Sequence, residues 1–566
     1  MNSYLPRTDD MFFVLSRVLG APAQLQALPA FEEIDADLMQ QVLGEAGKFV
    51  GDVIAPLNRD GDEVGAQWKD GAVTMPPGFR DAYQAFWQAG WPALSAAAED
   101  GGQGLPTVLE AMLYEMLSAA NHGWTMAPGL LHGAYECIRH HGSPALKAAY
   151  LEKLATGEWL ATMCLTEAHA GSDLGMVRTR ATPRPDGSYA LSGTKIFISG
   201  GEHDLSDNIV HLVLARLPDA PAGPKGLSLF VLPKFQADGS RSAVFCERIE
   251  EKMGLHGSPT CVLRFDGAVA SIVGEPGKGL NAMFVMMNAA RLHVALQGIG
   301  LLDAAWQKAD AYARERRQMR APGRARGTSD ADLIAEHPAI RRILDSQRAW
   351  VDAGRVLAYR TAIELDQIRH GDAQAQRSGQ RWCALVTPIM KAVFTHQAFH
   401  GGSDCLQVFG GHGYVREWGI EQIIRDARVA MIYEGTNEIQ AIDLLVRKLL
   451  PDGGQDMALL LDSLQADVSD ETRGRITTLR ALTARIVAAA PRDAALPYRV
   501  ADDYLRACAL VLIDWAWQRI EAGLDGAAAD REARWQAPAR ALRQWLLPEF
   551  AMRAGIIEQQ CQAVTG

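Results

Sequence analysis

Three textures of apolar and polar positions follow one another along the chain. Up to about residue 158, Ala- and Leu-rich segments such as TVLEAMLYEMLSAAN repeat apolar positions at helical spacing, with Gly/Pro loops such as 100–106 between them, which predicts a helical unit. From about 159 to 275 the runs shorten to YALSGTKIFIS, HLVLARL, LSLFVLP and CVLRFDG, cut by turns such as PDAPAGPKG, which predicts a β unit. From about 276 the helical period returns in LNAMFVMMNAARLHVALQGIGLLDAAWQKADAYARERR, in IRRILDSQRAWVDAGRVLAYRTAIELD and over 384–400, so long helices joined by loops predict a bundle to about 450. The loop APGRARGTSD (321–330) is flexible by composition. PDGGQD (451–456) marks a boundary before a last helical segment, 451–566, that contains YLRACALVLIDWAWQRI. The expectation is an α+β multidomain chain in four segments, 1–158, 159–275, 276–450 and 451–566.

Composition narrows the function. With 566 residues, 48% of them hydrophobic, the chain can bury a large core. A formal charge of −11 gives no general attraction to nucleic acid or anionic membrane. The last segment carries 13 arginines and no lysine against 16 acidic residues, a net of −3, so it is not a basic DNA-binding appendage. Eight cysteines are scattered without a CxxC pair, which speaks against a zinc site or a disulfide framework and fits a reducing, cytoplasmic setting. The opening MNSYLPRTDDMFFVLSRVLG places two aspartates before a short apolar run, unlike a secretory signal or a transit peptide. No uninterrupted apolar stretch reaches membrane-spanning length, so no membrane insertion is expected.

Candidate chemistry gathers at a few places. In MCLTEAHAGSD (163–173) the small residues Ala170, Gly171 and Ser172 allow close backbone approach, and consecutive N–H groups with a hydroxyl suit a phosphate; an ordinary Gly-Ser-Asp turn reads the same way. In KIFISGG (195–201), Phe197 and Ser199 occupy alternate strand positions and are expected on one side; a core Phe beside a turn is the plainer reading. GGHGY (410–414) follows an apolar helix, as a glycine stop or a close backbone contact. No stretch has GxGxxG spacing between strand and helix, which disfavours a nicotinamide cofactor. MIYEGTNEIQ (431–440) places Glu434 between Tyr433 and Gly435. Thr436 and Glu438 there resemble a helix N-terminus, with Glu434 then a solvated loop residue.

Taken in order, MCLTEAHAGSD, GTKIFISGG, EKMGLHGSPT, GEPGKGL, MMNAARLHVALQGIG, ARERRQ, QVFGGHGY and IIRDARVAMIYEGTNEIQ resemble the acyl-CoA dehydrogenases over roughly 30–450. EEKMGLHGSPTCVLRFDG, the YLPRTDDMFFVL opening and the extension are most similar to the subgroup of larger members that contains 3-methylmercaptopropionyl-CoA dehydrogenase. The resemblance implies a helical N-domain, a β-barrel-like middle domain and a C-terminal four-helix bundle, with FAD as cofactor.

By position, Met163, Leu165 and Thr166 resemble flavin-ring contacts, Gly171 and Ser172 phosphate- or ligand-contacting turn positions, and Phe197 and Ser199 residues flanking the isoalloxazine. Arg316, Gln318, Gln407 and Gly411 resemble positions that reach the FAD of a neighbouring subunit, implying a homodimer, and Thr436 and Glu438 positions on the same subunit's FAD. Asn288, Arg291, Tyr433 and Gly435 fall where the family contacts substrate. Ala168 stands where the family usually has Pro, Phe197 where it commonly has Trp, and Met163 where an aromatic is frequent.

Glu434 occupies the family's catalytic-base position, while Ala290 fills the alternative position used by some members. Abstracting an α-proton from a thioester needs a carboxylate in a dry cleft whose pKa desolvation raises toward working pH. The implied activity is α,β-dehydrogenation of a fatty acyl-CoA to a trans-2-enoyl-CoA, with electrons passed to electron-transfer flavoprotein. Dehydrogenation of 3-methylmercaptopropionyl-CoA, an acyl-CoA oxidase, and a DNA-associated alkylation-response flavoprotein are the alternatives.

Overall fold

The computed structural model describes residues 4–323, 329–466, 468–526 and 529–565. Half of the loop expected to be flexible, at 324–328, lies outside them, as do residues 1–3 of the opening segment. The chain forms two compact units, one of residues 48–105 and 120–293, the other of residues up to 47, 106–119 and 294–566.

The first unit is built on strands. Within the stretch read as helical, a small hairpin pairs β1 (Gln67–Lys69) with β2 (Ala72–Thr74) around Gly71, whose φ of 85° makes the tight turn. Two strands of three residues carry too little alternation to be read against their helical surroundings. The main sheet comprises β3 (Leu160–Cys164), β4 (Arg180–Pro183), β5 (Tyr189–Ser199), β6 (Ile209–Arg216), β7 (Leu227–Pro233), β8 (Val244–Ile249) and β9 (Thr260–Val273). Pairing runs β6–β4–β5–β9–β7 and back to β6, so five strands close a ring, with β3 parallel to β6 outside it and β8 antiparallel to β9. This is the barrel-like middle domain. Every residue of β7 and all but the last of β6 are buried, which is why these two read as unbroken apolar runs instead of alternating ones.

Helices make the second unit. Pro338–His370 and Ala373–Phe409 are its long members, joined by Ile420–Arg428, by the last five turns of Gly279–Ala313 and by the helices of the C-terminal extension. Gly279–Ala313 is the one described helix long and apolar enough to cross a membrane by length and composition, although its sequence is interrupted by Asn288, Arg291 and His293; 78% of its apolar window is buried within the protein. The extension is part of the core. Nearly all of one face of Leu496–Gly523 is buried, and Trp517 Nε1 donates to the Ala349 carbonyl at 3.0 Å.

A buried charge network crosses this unit. Arg355 donates to Glu115 at 2.7 Å and to Asp303 at 2.9 Å, all three fully buried, and Arg348 bridges Asp303 to Asp10. Arg534 of the extension also pairs with Asp10, 524 residues earlier in the chain. Removing one partner of such a set leaves a buried charge uncompensated, at about 3–5 kcal/mol.

Candidate functional site

In the strand unit, the candidate residues cluster where β3 ends beside β5. Met163 is half-buried on β3, and Leu165 and Thr166 continue its line, half-buried. Their carbonyls are both engaged: Lys195 Nζ donates to Leu165 O at 2.9 Å, and Ile196 N–H donates to Thr166 O at 2.9 Å. Lys195, fully buried, also donates to Glu167 at 3.0 Å. Burial opposes ionisation of Glu167, yet Lys195, the Thr179 hydroxyl and the Arg178 and Thr179 N–H groups outweigh it and hold the carboxyl below its ordinary value.

Past this anchor the chain turns outward. Gly171 and Ser172 are exposed, and a Cβ on Gly171 would meet nothing within 4 Å. Asp173 accepts from Gly175 N–H at 2.9 Å, so the ordinary capped turn and the open small-residue surface coexist.

Phe197 departs from the expected strand alternation. The β5–β9 register slips between Lys195 and Ile198, and Phe197 sits in this bulge with φ of 59° and 60% of its surface exposed. The burial pattern therefore steps from Lys195 to Ile198, and a one-residue insertion re-aims the ring out of the core. Ser199, half-buried, ends the strand. On Gly279–Ala313, Asn288 is exposed and Arg291 is buried.

In the helical unit, Arg316 and Gln318 are exposed at alternate positions of an extended segment, whose main chain pairs with residues 332–334. Gln407 is exposed at the end of Ala373–Phe409, and Gly411 is exposed just beyond the Gly410 cap, whose φ is 56°. Aromatic packing brings the two segments together. Tyr312 stacks on Phe409 with centroids 4.3 Å apart and donates to or accepts from His412 Nδ1 at 2.9 Å, and His412 stacks on Trp418.

The turn at Glu434 is the most constrained candidate. Glu434 has φ of 55° and Gly435 φ of 84°, so two consecutive residues are left-handed, the first of them with a Cβ. Tyr433 donates to Gln297 Oε1 at 2.6 Å; burial first, then the Glu434 and Asp426 carboxylates, push its hydroxyl far above the ordinary tyrosine value. Thr436 caps Asn437–Ile442 by accepting from Ile439 N–H, as the plain capping reading expects, and Glu438 is exposed on that helix's first turn. Glu434 is half-buried.

Sequence reasoning missed the residues that hold this turn. Lys391 and Gln440, both fully buried, donate to its carbonyls, and Asn437 ties it to Ala392. The available signal was a single lysine inside the apolar run ALVTPIMKAVF, an uncommon place for a charge without a task.

Family models described as the N-terminal, middle and C-terminal domains of acyl-CoA dehydrogenase match residues 39–158, 162–268 and 277–449 in order. The chain is 43% identical over 478 residues to the 3-methylmercaptopropionyl-CoA dehydrogenase of Ruegeria pomeroyi, covering 83% of this chain and 81% of that one. It is 34% identical over 506 residues to a broad-specificity linear acyl-CoA dehydrogenase of Mycobacterium tuberculosis, covering 86% and 82%. In fold it is similar to a Bacillus anthracis acyl-CoA dehydrogenase solved with FAD, at a TM-score of 0.74 and 20% identity over 97% of this chain and 95% of that one.

Proposed function

Because the chain belongs to the acyl-CoA dehydrogenase family, FAD enzymes that oxidise a CH–CH bond, we propose that it converts an acyl-CoA thioester to the trans-2-enoyl-CoA with Glu434 as the base. The observation that carries the assignment is the main chain at Glu434, left-handed at a residue with a side chain and clamped by a fully buried lysine. Such strain persists only where surrounding structure over-determines it, and it concentrates at functional sites.

The residues present fit a flavin. Exposed Phe197 offers an apolar face to a flat ring, half-buried Ser199 two residues on supplies a hydroxyl, and the open surface at Gly171 and Ser172 suits a pyrophosphate. Exposed Arg316, Gln318, Gln407 and Gly411 form a second donor set, which supports a homodimer in which each subunit completes its partner's FAD site. FAD, when bound, supplies the acceptor for the hydride that leaves the β-carbon.

Glu434 takes the pro-R α-proton, and its backbone N–H donates to the thioester oxygen as enolate charge develops. Met163, Leu165 and Thr166 hold the flavin ring, with their main chain fixed by Lys195; Thr436 and Glu438 contact the same subunit's FAD; Asn288, Arg291, Tyr433 and Gly435 position the acyl-CoA.

Among proposed substrates, 3-methylmercaptopropionyl-CoA ranks first, a reading the 43% relative supports, and linear fatty acyl-CoAs next, a reading the 34% relative supports. Electron-transfer flavoprotein is the proposed acceptor, in the cytoplasm. An anaerobic panel of acyl-CoAs, read as flavin bleaching, tests the reading. Bleaching by the methylthio substrate within seconds is expected, and a yellow protein that no acyl-CoA bleaches would overturn it. Stoichiometric hydrogen peroxide under air would instead identify an oxidase.

A further inference from the structure

Glu434 and Gly435 present their carbonyls to side chains of two different helices. Lys391 lies fully buried on Ala373–Phe409, and its Nζ donates to Gly435 O at 2.7 Å and to Asn437 Oδ1 at 3.1 Å. Gln440, fully buried on the helix that Thr436 caps, donates through Nε2 to Glu434 O at 2.9 Å and to Gly435 O at 3.3 Å. Asn437 in turn accepts from Thr395 at 3.2 Å and donates to Ala392 O at 3.0 Å. Gly435 leaves no slack, since a Cβ there would lie 2.7 Å from Gln440 Nε2.

The direction of the Glu434 side chain follows from its backbone. In the left-handed region its Cα–Cβ bond points where neither a helical nor an extended residue would send it, and that conformation costs about 1–3 kcal/mol when nothing holds it. Both carbonyls of the left-handed pair are held by donors that are themselves fully buried, so the conformation is secured from within the protein. We propose that Lys391, assisted by Gln440, is the positioning residue for the catalytic carboxylate: it pins the Gly435 carbonyl and so fixes where Glu434 meets the α-carbon. This inference rests on Glu434 being the base. A misplacement of about 1 Å at a reacting group costs on the order of 10²-fold in rate, so loss of the pin is read in turnover and not in ligand affinity.

The test uses Lys391→Met in the FAD-loaded enzyme, with Glu434→Gln as reference. The probe is a 3-thiaacyl-CoA, whose α-proton is acidic and whose β-position is sulfur and has no hydride to give. Its bound enolate absorbs at long wavelength beside the oxidised flavin, so proton abstraction is read without turnover. Lys391→Met is expected to retain FAD and to bind the probe within a few-fold of wild type, while the enolate band and kcat each fall about 10–100-fold and KM changes little. A band and kcat equal to wild type, in a protein whose Glu434→Gln variant is inactive, would overturn the inference while leaving the base intact. A fully active Glu434→Gln variant would remove the base, and this inference with it. Should Lys391→Met give no folded protein, Gln440→Met decides: a drop in kcat at unchanged probe affinity supports the clamp, and wild-type kcat overturns it.

Discussion

Phe197 and Glu434 are the same kind of residue in two different settings. Each has a side chain at a φ between 55° and 60°, one in the strand unit and one in the helical unit. Phe197 is held by main-chain pairing: its bulge sits between the Lys195–Leu263 and Ile198–Cys261 registers of β5 and β9, with Gly200 N–H on Pro259 O just beyond. Glu434 is held by side chains, the Lys391 ammonium and the Gln440 amide. A ladder spreads the hold over many bonds, whereas two side-chain donors concentrate it. On the proposed function, the ladder is enough to present Phe197 to a flat ring, whereas single side chains set the position of the Glu434 carboxylate.

The strongest way to break this comparison is at the carboxylate itself. Glu434→Gln keeps the turn's shape and cannot accept a proton, so turnover is expected to fall about 10²–10⁴-fold, with acyl-CoA binding retained. Glu438→Gln, exposed on the next helix, is expected to cost far less. Anaerobic stopped-flow reduction of both variants checks the pair; equal losses would place the base elsewhere.

Lys195→Met asks whether the bulge depends on the ladder alone. The substitution leaves buried Glu167 without its cation, and unfolding stability is expected to fall by about 3–5 kcal/mol in urea titration. Phe197→Gly addresses the ring. Glycine accepts φ of 59° freely, so the apo-protein is expected to gain about 1 kcal/mol at most, while FAD dissociates faster because the apolar face is gone. Thermal melts of the apo-protein and flavin release by fluorescence separate the two effects.

The smallest effect distinguishes the units by pH. In the strand unit, burial lowers His122 to about 4 and, with Lys234, His203 and His211 to about 3. The stability these neutral imidazoles carry is present above their unfolded value of 6.5 and is lost as pH falls from 6.5 toward 3–4. In the helical unit, burial raises Asp352 and Asp366 to about 7 from 3.8, so stability held by their protonated forms is present below 3.8 and is lost as pH rises toward 7. Between pH 4 and 6.5 these histidines and these aspartates shift stability in opposite senses. Hydrogen exchange at pH 5 and pH 7, corrected for intrinsic rates, is expected to show protection lost from residues 120–293 and gained in 338–370 on acidification.

Much of this was legible in the residues. Tyr189–Ser199 and Leu227–Pro233 coincide with the runs YALSGTKIFIS and LSLFVLP, because turns bound them on both sides and their apolar content has no helical period. The helices Gly279–Ala313, Pro338–His370 and Leu496–Gly523 follow from sustained apolar faces. Strand β4, Arg180–Pro183, left no mark, since four residues carrying Arg and Pro have no pattern of their own. The Phe197 bulge was hidden because register depends on a partner strand some sixty residues away in the chain. Glu434 was singled out as the proposed base through resemblance, while the groups that hold its turn escaped notice: a lysine's use is set by which carbonyl folds over it, and that is a property of the assembled turn.

The pairing of Asp10 with Arg534 has a consequence in time. At the usual 5–20 residues per second, a ribosome needs roughly half a minute to nearly two minutes to travel the 524 residues between them. Throughout that interval the helix that will carry Arg534 does not yet exist, while for roughly its second half residues 48–105 and 120–293 have all been synthesised. Asp10 therefore waits longest of all for its partner, and the Asp10–Arg534 pair is among the last of the helical unit's ion pairs that can form.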